Sequence, residues 1–289
     1  IPFYLGHALY MKHIYGSKKK NDKIDARKIG HLLRTGFFPL AYPYPRQMRG
    51  VRDLLRMRHI LVRRRSGAYT SIKATLYQQG ISDFPSGIAS AQYLRRRLLS
   101  LVTDPCVSAT VKARLHMIDA LTGEIEPLET MAVAYAREHE TESLGLLKTI
   151  PGTGDIIGIS ILYEAHTMDR FRTPGRFSSY ARAVKVDHTS DGKPSGVNRR
   201  KIGNPYLAWA FAELTIHAIR TSPAIKQYYE RLRETFGKKL ALARLTHKFV
   251  VVVYYMLKHR RAFDVNRFCT FGESDNPTAG LADTTASSL

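Results

Sequence analysis

Asp22 and Asp25 lie three residues apart in the stretch KKKNDKIDARKIGHLLR, residues 18–34. At that spacing two side chains share one face of a helix, and Ile29, Leu32 and Leu33 continue the same face. Two carboxylates held together among lysines suit a divalent cation. Mg2+ takes hard oxygen ligands and commonly uses one or two carboxylates together with phosphate. Nucleases and polymerases use paired ions of this kind on the attacking and leaving oxygens of phosphoryl transfer. The pair has a plainer reading as well. Asn21 or Asp22 can cap a helix, with Asp25 favoured in its first turn by the helix dipole. Spacing alone favours the cap, since D-x-x-D is common, and the face shared with the apolar stripe brings the two readings level.

A second candidate is DHTSDGKPSGVNRRKIGNPYLAWAF, residues 187–211, in which Ser190 and Ser195 stand among Lys193, Arg199, Arg200 and Lys201. A serine surrounded by cations can attack a phosphodiester while the cations stabilise the developing charge. The simpler alternative is a phosphate-binding loop whose serine only donates a hydrogen bond. His188, two residues away, does not by itself supply a base. The third candidate is LLKTIPGTGDIIGISILYEA, residues 146–165. A helix to Ile150, a Pro-Gly-x-Gly turn and a helix through Ile156, Ile157, Ile159, Ile161 and Leu162 make a helix-hairpin-helix pattern. Gly152 and Gly154 allow close backbone approach, and the second helix presents N–H groups to a phosphate. Such contacts position a protein on nucleic acid without reading bases. An ordinary glycine-rich turn between helices is the alternative.

These residues need elements to hold them. The apolar spacing predicts a helix over Asp22–Arg34, ended by Gly36. PFYLGHA is expected to be a buried strand ending at Gly6, and FFPLAYPYP is extended because its prolines exclude helix. Residues 47–79 carry a long helical pattern whose polar faces hold Arg49, Arg52, Arg56, Arg58, Arg63, Arg64, Arg65 and Lys73. Arg63, Arg64 and Arg65 are the expected grip on a nucleic-acid backbone. The strand–helix–strand–helix order suggests a piece of an α/β domain. Residues 90–142 read as helical with breaks at Pro105, Gly123 and Pro127. A compact unit follows over about 144–222, with Asn204 as an N-cap and Pro205 in the first helical turn. Lys239–Phe263 reads as one more helix, and residues 270–289 as a disordered polar tail.

Composition points the same way. The 289 residues include 45 Lys and Arg against 24 Asp and Glu, a formal charge of +21 and a pI near 10.1. That excess calls for a polyanionic partner. The cations crowd the first 75 residues, where the acids are Asp22, Asp25 and Asp53. Residues 118–142 reverse the balance with Asp119, Glu124, Glu126, Glu129, Glu138, Glu140 and Glu142, and read as a solvated helical connector. No run reaches the ~18 consecutive apolar residues of a membrane span, so no membrane partner is expected. The first residues do not have the charge order of a signal peptide. Cys106 and Cys269 have no metal-ligand spacing and suggest a reducing, cytosolic setting. Residue 1 is Ile, so the sequence is expected to be part of a longer chain.

Taken together, FYLGHALYMKHIYGSKKKNDKIDARKIGHLLRTGFFPLAYPYP, IPGTGDIIGISILYEAHTMDRF, FSSYARAVKVDHTSDGK, KIGNPYLAWAFAE and LTHKFVVVVYYMLKHRRAFD resemble, in order, the insertion-sequence-110 family of transposases, the bridge-RNA-guided DEDD/serine recombinases. The resemblance implies α/β plus mostly α architecture. A partial RuvC-like (RNase H-fold) domain would occupy 1–100, a helical or coiled-coil connector 101–143, and a serine transposase domain with the helix-hairpin-helix 144–269. The family's N-D-x-x-D-A motif falls on Asn21–Ala26, making Asp22 and Asp25 the last two acids of a D-E-D-D tetrad that binds Mg2+. Its S-x-G-K motif falls on Ser190–Lys193, making Ser190 the nucleophile in preference to Ser195. The tetrad's first Asp and its Glu lie upstream of the segment that begins here, so the nuclease half is expected to be incomplete. The resemblance further implies recombination of donor and target DNA, selection by a structured guide RNA, a homo-oligomer, and a cytoplasmic, nucleoid-associated location. The competing reading is a non-catalytic nucleic-acid-binding remnant that uses the hairpin and the basic helices.

Overall fold

The computed structural model describes residues 3–7, 10–11, 21–82, 92–184, 189–190, 193–194 and 202–270. It divides into two compact units, residues 1–49 and 50–289.

In the first unit, α1 spans Asp22–Arg34 as its periodicity predicts. Asn21 caps it by accepting a hydrogen bond from the Lys23 backbone N–H at 2.9 Å. Thr35 closes the other end, and Gly36 follows in the left-handed region at φ +73. The expected buried strand before α1 is not seen. Gly6 forms a single antiparallel bridge with Leu40, flanked by His7 N–H to the Pro39 carbonyl and Ala41 N–H to the Leu5 carbonyl, both 2.7 Å. Phe3 is 81% exposed, and Tyr4 and Leu5 are exposed too. The segment is apolar enough for a core strand, but no second layer covers it among the described residues. FFPLAYPYP forms no helix, as its prolines require, and carries the bridge at Leu40.

α2 (Arg46–Gln78) begins at the end of this unit and continues through the second. One face is buried through Val51, Leu55, Leu61, Ala68, Ile72 and Leu76. α3 (Gln92–Ser100) and α4 (Pro105–His139) add Leu98, Val102, Val111, Leu115 and Ile118 to the core around the end of α2. α4 shows why the expected breaks within 90–142 are only partly right. Pro105 begins a helix, with Asp104 accepting from the N–H groups of Cys106 and Val107 at 2.7 and 2.9 Å. Proline fits there because a first-turn N–H has no intrahelical partner. Gly123 and Pro127 do not interrupt α4. Both are exposed, so the carbonyl that Pro127 leaves without a donor, four residues back, is open to water. The acidic stretch is also not simply solvated. Asp119 pairs with Arg95 and Glu129 with Arg58, each at 2.6 Å.

The remaining helices are α5 (Thr141–Lys148), α6 (Asp155–Ala165), α7 (Pro174–Tyr180), α8 (Pro205–Thr221), α9 (Pro223–His259) and α10 (Val265–Cys269). α8 packs against α6 and α9, α7 against α9, and α10 against α9. Phe177, Phe211, Tyr228, Phe249 and Val253 are fully buried between them. The helix expected over Lys239–Phe263 is the second limb of α9; it follows a kink at Gly237 (φ 73, ψ 162) and ends at His259, a few residues before Phe263. α9 is long and apolar enough to cross a membrane by length and composition. Leu245, Phe249, Val250 and Val253 of this run are buried in the core. Among the described residues the strands are a two-residue hairpin, β1 (Thr189–Ser190) and β2 (Lys193–Pro194). The tail from 271 onward lies outside the described residues.

Candidate functional site

The hairpin that carries Ser190 is part of a polar excursion between α7 and α8. Its backbone register pairs Ser190 with Lys193 and Thr189 with Pro194, so the nucleophile candidate and one cation occupy partner positions of an antiparallel pair. Ser195, Arg199, Arg200 and Lys201 lie outside the described residues.

The two ends of this excursion are tied together. The Asn204 N–H donates to the Tyr180 carbonyl at 2.6 Å, and the Arg182 guanidinium donates to the Gly203 carbonyl at 3.1 Å. Gly203 takes φ +87, and a Cβ there would meet the Tyr180 carbonyl oxygen at 2.7 Å. Only glycine lets the returning strand lie so close. Asn204 is the hub. Its Oδ1 accepts from the N–H groups of Tyr206 and Leu207, at 2.9 and 3.2 Å, which caps α8. Its Nδ2 donates to Glu164 Oε2 at 2.7 Å and to the Tyr180 hydroxyl at 3.3 Å.

Glu164 is 2% exposed, and a carboxylate so deeply buried needs strong partners. Arg56 on α2 supplies a two-point grip, Nε to Oε1 at 2.6 Å and Nη2 to Oε2 at 2.7 Å. The hydrogen bond to Glu164 raises the Arg56 pKa further above its usual value. Arg56 also lies 4.8 Å over the Tyr206 ring. The base of the serine excursion is therefore fastened to α6, α8 and α2 through one carboxylate. Sequence reading found Asn204 as a cap but missed Glu164, Arg56 and Tyr180. A signal was present: Glu164 is the single acid after Asp155 in the apolar run DIIGISILYEA.

α2 divides its arginines between two uses. Arg56 and Arg58 are consumed by Glu164 and Glu129. Arg65 is half-buried and donates to the Thr122 hydroxyl at 3.2 Å. Arg63 and Arg64 are exposed. His59 packs edge-on against Tyr206 and Trp209, at 5.3 and 4.9 Å between centroids. Burial lowers its pKa, and Arg63 and Arg58 lower it further. On α9, burial lowers the pKa of His247, opposed by a hydrogen bond with the backbone of Ala183, where the excursion leaves α7.

The α5–α6 connection is a tight turn between two helices. Gly152 has φ +80, and a Cβ on it would meet the His217 backbone of α8 at 2.7 Å. The close approach it permits is thus to a neighbouring helix of the same chain. Gly154 has φ −78 and open space where a Cβ would stand. Asp155, in the first turn of α6, pairs with Lys148 at 2.7 Å and with Arg137 at 3.7 Å. Beside this turn a cleft of about 900 Å3 runs between α2, α4, α6 and α8, with Trp209, Ile156, Ile157 and Val133 among its walls.

Asp22 and Asp25 stand in the first turn of α1, Asp22 exposed and Asp25 half-buried. The stripe below them is narrower than the sequence suggests, since Leu32 is buried but Leu33 is 44% exposed. As oxygen donors the two carboxylates fit Mg2+. Among the described residues, no group of three or more His, Cys, Asp or Glu side chains comes together as a metal site.

The second unit thus belongs to a class: a mostly helical body, basic along α2, that closes a short polar loop on a buried ion pair. Residues 144–230, from α5 into α9, match the model of the Transposase IS116/IS110/IS902 family, which supports a transposase function for the chain. No curated protein matches it.

Proposed function

We propose that the chain is the DNA- and guide-RNA-binding, strand-exchanging part of an insertion-sequence transposase, acting as a homo-oligomer. The observation that carries this reading is the family match over 144–230, which contains both the helix–turn–helix at Gly152 and the clamped excursion with Ser190. In this reading residues 1–100 are a partial RuvC-like domain, and the α5–α6 turn is a helix-hairpin-helix. The exposed Arg63 and Arg64 hold a nucleic-acid backbone, joined by Arg65 and by Lys193, Arg199, Arg200 and Lys201 around the serine.

The Ser190 hydroxyl attacks a phosphodiester. The Oγ–P bond forms, the bond from phosphorus to one sugar oxygen breaks, and the hydroxyl proton ends on that leaving oxygen. Lys193, directly across the hairpin, offsets charge on the phosphoryl oxygens. Asp22 and Asp25 would hold Mg2+, which when bound supplies charge stabilisation at a phosphodiester oxygen.

The test uses the longest reading frame that contains these residues, with guide RNA, donor and target DNA. The expected result is an SDS-resistant protein–DNA adduct that disappears in Ser190→Ala, while recombination, but not DNA binding, is lost in EDTA. An adduct that persists in Ser190→Ala removes Ser190 from the chemistry. The second reading, a nucleic-acid-binding remnant without catalysis, rests on the exposed Arg63 and Arg64, which can pair with phosphates without any chemistry. It predicts tight nucleic-acid binding and no adduct under any condition.

A further inference from the structure

A groove of about 610 Å3 lies where the end of α9 turns into α10, remote in sequence from the α2 arm and the serine excursion. Its floor is apolar, formed by Val252, Met256, Phe263 and the buried Phe268. Phe268 stacks on Phe249 at 4.5 Å between centroids, which fixes the floor to the core. One wall is an aromatic shelf. Tyr255 is 46% exposed, and its ring lies parallel to that of His259, with 5.9 Å between centroids and 8° between planes. The rim is cationic: Arg261 and Arg267 line it, with Lys248, whose ammonium donates to the Tyr228 hydroxyl at 2.7 Å, against a single carboxylate, Asp264. That carboxylate is already engaged, accepting from the N–H groups of Asn266 and Arg267 at 2.9 and 3.1 Å.

Cations at the end of a helix often do no more than complement its dipole. Here that accounts for Lys258 and His259, which are in the last turn of α9. It does not account for Arg261, which follows the cap at Arg260, and it accounts only weakly for Arg267, which stands in the last turn of α10, a helix of five residues with little dipole of its own. An apolar patch alone would suit another protein, and a cationic patch alone any polyanion. An exposed flat ring over an apolar floor, rimmed by guanidinium groups, fits a ligand that carries both a planar face and phosphates. Single-stranded nucleic acid presents these together, because its unpaired bases can stack and its backbone can pair with Arg and Lys. A duplex keeps its base faces hidden, and its phosphates alone would make no use of Tyr255.

We propose that the α9–α10 groove binds a single-stranded nucleic-acid segment, one base stacking on Tyr255 and the flanking phosphates pairing with Arg261 and Arg267. The site deepens the nucleic-acid-binding part of the function proposed above, and uses none of the residues assigned there.

The experiment measures affinity by fluorescence anisotropy for labelled oligodeoxythymidine, for oligouridine of the same length, and for an abasic oligodeoxynucleotide. Wild type is expected to prefer the base-bearing strands over the abasic one. Tyr255→Ala should lower affinity for base-bearing strands about tenfold, as expected for one lost stack, and leave the abasic strand unchanged. Arg267→Ala should weaken all three and reduce the salt dependence by about one unit of slope. A 5-iodouracil oligonucleotide should crosslink to Tyr255 or His259. Whichever of oligouridine and oligodeoxythymidine binds more tightly identifies RNA or DNA as the strand held. The proposal is overturned if Tyr255→Ala binds every strand as wild type does, or loses the abasic and base-bearing strands equally. A wild-type protein that binds no nucleic acid would overturn the broader function as well, so the two failures are distinguishable. Phe37→Ala, also a change at an exposed ring but in the first unit, serves as the control and should bind all three strands normally.

Discussion

Glu164 and the pair Asp22–Asp25 are acids in a strongly basic chain, yet the structure treats them in opposite ways. Glu164 is buried, meets Arg56 at two points and is donated to by Asn204. Asp22, exposed, and Asp25, half-buried, stand in the first turn of a helix, where the helix dipole favours a negative charge. A buried carboxylate has to be satisfied by the fold, so its partners are visible. An exposed one is satisfied by water, so the structure alone does not commit it to a task. The difference separates residues that hold a site from residues that can serve one.

Removing Glu164 is the most severe way to probe the contrast. Glu164→Ala leaves the Arg56 guanidinium without its carboxylate, and the Asn204 amide with only the longer contact to the Tyr180 hydroxyl, at the base of the serine excursion. Breaking a buried pair typically costs about 3–5 kcal/mol. The Arg56 side chain is 32% exposed, and water there offsets part of the loss, so about 3 kcal/mol is expected in urea unfolding. Glu164→Gln keeps the shape and an acceptor and should cost distinctly less. Equal, small losses for both variants would mean that the clamp contributes little to the fold.

The α5–α6 turn allows a milder comparison inside one motif. Gly152 is at positive φ against the His217 backbone, whereas Gly154 is at negative φ beside open space. Gly152→Val therefore has to adopt a strained conformation and displace a neighbouring helix. A cost of about 2 kcal/mol or more is expected from strain alone at such a position. Gly154→Val should be tolerated to within about 0.5 kcal/mol, as an exposed substitution is. Matching losses at the two glycines would show that the turn relaxes as a unit. In sequence the two are indistinguishable, which is why both read as points of close approach.

That pair illustrates what could and could not be seen in the sequence. α1 and α2 were legible almost to the residue, because apolar spacing sets a helix and Gly36 and the prolines punctuate it. The continuity of α4 through Pro127 was not legible, since it depends on which side of the helix faces water. PFYLGHA was misread because hydropathy reports whether a strand can be buried, not whether a layer is there to bury it. The clamp was invisible for a different reason. Arg56 and Glu164 are 108 residues apart, and no local pattern joins them. For the candidate chemistry, the sequence supplied residue types and spacing in Asp22, Asp25 and Ser190. What the structure adds is the hairpin that sets Ser190 opposite Lys193, and the anchorage of its ends.

The smallest expected effect belongs to the aspartates, and there the contrast is sharpest. If Asp25 only favours the start of α1, Asp25→Asn removes a charge–dipole interaction of about 0.3–1 kcal/mol at low salt, and less as salt rises. The cap itself survives, because it is made by Asn21. Metal binding adds a second, separable signature. A ligand that binds only the native state raises stability in proportion to the logarithm of its concentration above Kd. If Asp22 and Asp25 hold Mg2+, the melting temperature of the longest reading frame that contains them should climb with Mg2+ and that of its Asp25→Asn variant should not. Ca2+ at equal ionic strength, which prefers more ligands and a looser geometry, should raise it less. If wild type and Asp25→Asn respond alike to both cations, the pair is a helix start and nothing more. If Asp25→Asn costs well over 1 kcal/mol without any cation, the carboxylate holds the first unit together in the way that Glu164 holds the second.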